Sequence, residues 1–327
     1  MIIFCLFIAM SLLLYIGYRP SFADTGSYIH SYSLLEGISG INLNKEWLWH
    51  NLNIYCREAG LSVEHFFLLV GAVYLGGMMC ICWKLTKNHV WISFLFFIAA
   101  FSFYGYGLNG IRNGMACSLI LVSLACFSHN NKKMFYPLGL LILFIAYSIH
   151  RSTLMPIISI LLSLTMVKRP AISIQFWLVS IILSLLIGNG VGGFMASTGI
   201  FEEKADYFIE AELTKNAEQF SRTGFRWDFL LYSAMPVLLV WFVTVKRSFV
   251  DATYNLIANT YILTNAMWII VIRANFSNRF AYLSWFLYPI VLAYPLLRFH
   301  IWDGRRQNMN LGLILLVYTI FTLYLLI

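Results

Sequence analysis

The sequence predicts an all-α, polytopic helical membrane protein, and three observations carry that expectation. First, 60% of its 327 residues are hydrophobic and 11% are charged, whereas soluble domains hold roughly 25% charged residues. Second, mean hydropathy is +0.76, and the apolar residues come in continuous runs near the ~20 residues that a membrane-crossing helix needs. Third, the runs do not alternate with period two, which excludes a barrel of membrane strands. About eleven (10–12) transmembrane helices of this length are expected, all within one integral membrane domain over residues 1–327.

In chain order the runs lie near Met1–Tyr18, Glu64–Leu85, Val90–Tyr106, Asn109–Ser128, Met134–Ile149, Thr153–Val167, Ser173–Phe194, Trp227–Val245, Ala252–Ile272, Phe280–Leu297 and Asn310–Ile327. The first lacks a basic leader and exceeds the usual apolar core of a signal peptide, so it is expected to remain as a span, although SFADT offers small residues for cleavage. Orientation follows the basic residues in short loops. With the N-terminus inside, the inner loops carry Lys84 and Lys87, Lys132 and Lys133, Lys168 and Arg169, Lys246 and Arg247, and Arg298, Arg305 and Arg306. Of the 14 acids, Asp251 and Asp303 alone fall inside. The net charge of +8 therefore reads as membrane orientation. No basic face interleaved with aromatics points to a nucleic acid partner.

Five of the six cysteines fall in spans, and Cys56 alone sits in an outer loop, which leaves no disulfide framework. Cys80 and Cys82 are spaced for a metal, but a lone pair in a lipid-facing run reads better as packing, so no metal is expected.

Two outer loops are long. The first, residues 19–63, contains KEWLWHNLNIYCREAGL, where Leu48, Leu52, Tyr55 and Ala59 recur at helical spacing. It predicts an interfacial helix with Trp47 and Trp49 at headgroup level. The second, residues 195–226, contains the acidic FEEKADYFIEAELTKNAEQF and reads equally as a lid over an outward cavity or as a solvated surface helix. No inverted repeat of the transporter kind is visible.

FYGYGLNGIRNGMACSLILVSLACF, residues 103–127, sets Arg112 beside Asn109, Asn113 and three glycines at the mouth of the fourth run. As one helix, Asn109, Arg112 and Asn113 would share a face. A helix N-terminus favours an anion, glycines allow close approach, and a guanidinium suits phosphate. Snorkelling to lipid phosphates is the plainer reading of one such arginine. Other outer turns carry arginine too: Arg151 in YSIHRSTLMP, Arg273 and Arg279 in RANFSNRFAYL, and Arg222 and Arg226 in FSRTGFRWDF. Arg273 and Arg279 are too far apart to share a face on one continuous helix, so a turn or broken helix is expected between them. Basic residues on the disfavoured side of a membrane favour an anionic ligand there.

A lipid-linked diphosphate would sit at that depth, and several arginines would neutralise it both bound and leaving. Activating an acceptor hydroxyl needs a base. Asp24, Glu46 and His150 are the candidates. Asp24 reads alternatively as the ion-pair partner of Arg19. Glu46 reads better as part of a solvated helix face. His150 reads equally as an interfacial histidine or as a base that titrates near neutrality.

In order, GYRPSFADTGSY, KEWLW, GIRNGMA, SIHRS and RANFSNRFAY resemble the EpsG-type family of bacterial polysaccharide polymerases, the Wzy-like membrane enzymes, over residues 1–297. The family pattern has glycine before the aspartate, where this chain has Ala23. The resemblance implies a GT-C-like glycosyltransferase in the bacterial cytoplasmic (inner) membrane. It would join undecaprenyl-diphosphate-linked oligosaccharide repeat units at the periplasmic or outer face, with no cofactor and no essential metal. Donor and acceptor would both be lipid-linked, in contact with membrane lipid, beside a chain-length regulator and a flippase. His150 or Asp24 would be catalytic, and Arg112, Arg151, Arg273, Arg279, Arg19, Asn113 and Glu46 would contact diphosphate or substrate. An O-antigen ligase has the same chemistry with another acceptor. A lipid-linked glycan flippase would place charges deep in spans that here are nearly charge-free. A membrane acyltransferase would need acyl-donor access from the cytoplasm, whereas His150 is expected outside.

Overall fold

The computed structural model describes residues 2–20, 24–38, 40–43, 46–187, 224–273 and 277–326. These residues are helical, with no strand among them. That is the outcome lipid enforces, because a helix satisfies its own backbone where no water can.

Six helical stretches are long and apolar enough to cross a bilayer: Val63–Ile98, Lys132–Ile149, Pro170–Ile187, Trp227–Lys246, Ser277–Arg298 and Gly304–Tyr324. Three shorter apolar helices are Ile3–Gly17, Ile111–Phe127 and Arg151–Thr165. Each expected run is mostly helix over its described residues, with breaks at Ala99–Ala100 and Phe286–Leu287, but the count of about eleven is not reached on length and composition. Val63–Ile98, at 36 residues, fuses two expected runs across a 3-10 turn at Lys87–His89. The helix Ala252–Ile270 is long enough, but Asn255, Asn259, Thr260, Thr264 and Asn265 make it too polar.

The described residues form two compact units. The first, residues 1–157 and 293–327, opens with α1 (Ile2–Gly17), α2 (Thr25–Ser33), α3 (Trp47–Glu58) and α4 (Val63–Thr86). It continues with α5 (Val90–Ile98), α6 (Phe101–Tyr104), α7 (Ile111–Phe127) and α8 (Lys132–Ile149). Small residues set the packing, as expected where lipid gives no hydrophobic drive between helices. A Cβ at Gly77 would lie 2.4 Å from the Ser118 carbonyl oxygen, and the Ser118 hydroxyl donates to the Tyr74 carbonyl at 2.6 Å. Likewise the Ser123 hydroxyl donates to the Gly139 carbonyl, 2.9 Å away, tying α7 to α8.

The first outer loop carries more structure than its sequence predicts. Helix α2 was not expected there, and α3 is not a free interfacial helix. Trp49, Ile54 and Cys56 are buried, and Trp49 and Cys56 join Tyr32, Phe66, Phe67, Ile111, Met115 and Ile149 in one apolar cluster. Trp49 is therefore core, with its ring edge-on to Phe66 at 5.4 Å. Leu48 and Leu52 flank the cluster, while Tyr55 is exposed. The predicted stripe is thus rotated by about one residue. Aromatic-to-aromatic contact outweighs leucine burial here, since an aromatic pair adds about 0.5–1.5 kcal/mol beyond its area.

The second unit, residues 158–292, takes in most of α9 (Leu154–Thr165), then α10 (Pro170–Ile187), α11 (Trp227–Val240), α12 (Ala252–Ile270) and α13 (Ser277–Trp285). Helix α14 (Tyr288–Arg298) starts within it, and α15 (Gly304–Leu326) lies in the first unit. Asp251 caps α12 by accepting from the Tyr254 N–H at 2.7 Å. The candidate lid at residues 195–226 lies outside the described residues up to 223, Arg222 included.

Candidate functional site

The site is built at the end of unit one where α7 begins and α8 finishes. These helices are successive and joined by a short turn at residues 128–131, so they run antiparallel and bring Arg112 and His150 to one level. Gly110 precedes α7, after a π-helical turn at Gly105–Asn109. That turn removes Asn109 from α7, so Asn109, Arg112 and Asn113 do not share a face of one helix as the spacing suggests. Instead the Asn109 Oδ1 accepts from the Asp24 backbone N–H at 2.9 Å. Two of the three glycines serve the chain itself. A Cβ at Gly114 would lie 2.6 Å from the Tyr106 carbonyl oxygen, and one at Gly107 would lie 3.3 Å from the Tyr74 ring. Close helix packing therefore explains them without a ligand.

Glu46 joins the parts. Its Oε2 lies 2.6 Å from Arg112 Nη1, and its Oε1 lies 2.6 Å from His150 Nδ1. The Arg151 backbone N–H donates to the same Oε1 at 3.1 Å. The side chains of Glu46 and His150 are 14% and 5% exposed, and that of Arg112 is 30% exposed. Glu46 is thus no solvated helix face, which corrects the preferred reading of the sequence. It precedes α3 with φ 60° and ψ 38°, in the left-handed region. Such a backbone costs a non-glycine residue of order 1–3 kcal/mol and persists where surrounding contacts over-determine it. Here an ion pair and two hydrogen bonds do so.

The electrostatics follow from these contacts. Burial pushes the Glu46 carboxyl up, but the hydrogen bond and charge of His150, the Arg112 guanidinium and the Arg151 N–H outweigh it and draw it down to about 2. Glu46 is a fixed anion at neutral pH. A carboxylate on Nδ1 fixes the tautomer: when the ring is neutral its proton sits on Nδ1 and Nε2 carries the lone pair. Among the described residues no three His, Cys, Asp or Glu side chains converge as a metal site would need.

Arg151 is exposed and opens the 3-10 turn Arg151–Thr153. Asn113 accepts from the Cys117 thiol within α7. Asp24 precedes α2, while Arg19 donates to Thr25 Oγ1 at 3.1 Å and to the Ile16 carbonyl at 2.8 Å. The Arg19 guanidinium also covers Phe67 at 3.9 Å, and burial lowers its pKa to about 10. No described carboxylate pairs with it, so the Asp24–Arg19 ion pair is not formed among these residues. Arg273 and Arg279 belong to the second unit, one in the turn after α12 and one in α13. The expected break between them falls partly on residues 274–276, outside the described residues. Arg226 is paired with Asp228 at 2.7 Å.

With this geometry in place, the comparison with known families is decisive. The sequence pattern of the EpsG family matches residues 2–327. The chain belongs to the EpsG family. No curated protein and no solved structure matches it. EpsG family membership associates the chain with polysaccharide polymerisation, a glycosyltransferase-type activity, on a multi-pass helical membrane protein. Sequence reasoning undervalued one residue, Glu46. The signal available was its place in KEWLW before an amphipathic helix, but nothing in the local pattern reveals a left-handed backbone or partners 66 and 104 positions away.

Proposed function

We propose that this EpsG-family chain polymerises undecaprenyl-diphosphate-linked oligosaccharide repeat units at the periplasmic or outer face of the bacterial cytoplasmic membrane. The observation that carries this reading is the joining of Arg112 and His150 by one carboxylate at the shared end of α7 and α8. The reading includes about eleven membrane helices of the usual length in a GT-C-like arrangement. The N-terminus lies inside, so that this end faces out, and a flippase and a chain-length regulator act as partners.

In the reaction, a hydroxyl oxygen of the incoming lipid-linked unit attacks the anomeric carbon of the growing chain. The new glycosidic C–O bond forms as the bond to the diphosphate oxygen breaks. The hydroxyl proton passes to His150 Nε2. The departing lipid diphosphate keeps the bonding electrons, and Arg112 neutralises its charge as it develops. Arg151 lies next to that position, while Arg19, Asn113, Arg273 and Arg279 are further candidates to contact diphosphate or sugar. Asp24 is the second candidate base.

The test is the gel profile of lipid-linked or surface glycan from a deletion strain, with and without the gene restored. A ladder that collapses to one repeat unit and returns on complementation is expected. An unchanged ladder would remove polymerisation as the activity.

A further inference from the structure

We infer that Glu46 is a positioning residue that couples the two halves of the site: it orients His150 as the base and competes with the diphosphate for Arg112. This rests on the polymerase reading above and says how its parts act together.

Both oxygens of Glu46 are committed, Oε1 to His150 and the Arg151 N–H, Oε2 to Arg112. Three non-glycine residues have positive φ among those described, Glu46, Lys87 and Ser248. The other two are exposed. Glu46 alone of the three holds a strained backbone together with a largely buried ion pair. The left-handed turn aims its carboxylate back across the start of α3 toward α7 and α8. A glycine there would cost the backbone nothing, so the carboxylate is what the strain serves.

Arg112 gives one N–H group to Glu46 and stays 30% exposed, so the rest of its five-donor fork can take an anion. When a diphosphate arrives, it shares Arg112 with Glu46. The Glu46 charge is then less neutralised by Arg112 and acts more strongly on His150, which becomes the better base. Donor binding and base strength thus rise together, and the linkage is reciprocal. Among the described residues, other titratable groups on the elements around His150 have the following surroundings. On α3, His50 is exposed, Arg57 pairs with Glu36, and Cys56 sits in the apolar cluster. On α7, Cys117 is bonded to Asn113; on α8, Tyr147 is half-buried.

Glu46→Gln, in the full chain reconstituted with a lipid-linked repeat unit, tests this. It is expected to lower kcat by about 10²-fold or more. The acid limb of the pH profile should move to lower pH by roughly one unit or more. KM for the diphosphate-linked unit should fall, because Arg112 has lost its competitor. A merely structural role would raise KM or leave it alone, with the limb unmoved, and either pattern overturns the inference. Glu46→Gly is the second variant: it relieves the backbone, so full turnover by it would also overturn the inference. The link to His150 is read without substrate by 15N NMR of its imidazole, assigned by loss of the signal in His150→Gln. A Nδ1-protonated ring in the wild type that loses this preference in Glu46→Gln is expected. Identical tautomer and titration in the two proteins sinks the inference. Absence of turnover by a folded wild type sinks the polymerase reading instead.

Discussion

The first unit gathers charged side chains at the end of α7 and α8, and the second gathers neutral ones along α12. On α12, Asn265 Oδ1 accepts from Trp177 Nε1 at 2.8 Å, and its amide nitrogen donates to Ser284 at 2.9 Å and Ser233 at 3.1 Å. Trp285 Nε1 donates to Ser233 at 2.8 Å. Asn259 accepts from the Ser173 hydroxyl and donates to the Val167 carbonyl, both at 2.7 Å. Asn259, Asn265, Ser233 and Ser284 are at most 1% exposed. This network is closed, neutral and unstrained, which is how polar groups act as glue between membrane helices. The Glu46 cluster is charged, partly open and built on a left-handed backbone. Those are the marks of a site that interacts with something beyond the chain. Polar residues in a membrane protein are therefore sorted by charge, opening and strain, and not by polarity alone.

The comparison breaks most sharply at Arg112. Arg112→Ala is expected to abolish the glycan ladder while the protein stays at its normal level in the membrane. In the proposed reaction, loss of the cation leaves the departing diphosphate without its counter-charge, and interactions of this kind are worth about 10²–10³ in rate. Normal polymer from a well-expressed Arg112→Ala protein would move the site elsewhere. A smaller effect of the opposite kind is expected from Asn265→Leu. It orphans the Trp177 indole N–H in a buried setting and should cost between about 0.6 and 3 kcal/mol. A thermal shift in detergent should show lower stability, with polymerising activity per folded molecule retained. Lost activity at unchanged stability would make the α12 network part of the site and erase the contrast.

Helices were legible in this sequence because apolar runs in lipid have one solution: the run Met134–Ile149 lies within one helix, and Phe280–Leu297 falls in two, broken at Phe286–Leu287. The candidate site was legible in part. Arg112, His150 and Arg151 were singled out from their place at run ends, and the antiparallel pairing of α7 and α8 gathers them. What stayed hidden depends on tertiary contact. The apolar face of α3 was set by Phe66 and Ile149 on other elements. The glycines of α7 and its preceding turn answer to Tyr106 and Tyr74, and α12 hid its polarity in partners such as Ser173 and Trp177. Glu46 was misread because a solvated glutamate and a bridging one have the same neighbours in sequence.

The mildest expected effect is one of pH, and its sign separates Glu46 from His150. The Glu46 carboxyl lies near 2 in the folded chain against an ordinary value of 4.5. As pH falls, the unfolded carboxyl takes up its proton first, so the folded state is the one penalised by acid. The stability that Glu46 contributes is therefore complete above 4.5 and is lost as pH falls through about 2. Between pH 8 and 5 Glu46 does not titrate, so a change of activity in that window does not arise from its carboxyl. The measurement is the difference in thermal stability between wild type and Glu46→Gln as a function of pH. It should not shrink between pH 8 and 4.5, and it should shrink below 4.5. No difference between the two proteins at any pH from 8 to 4.5 would mean that the carboxylate contributes no contacts of its own in the folded chain. The Glu46 cluster would then be no more than a solvated surface, and the contrast with α12 would rest on α12 alone.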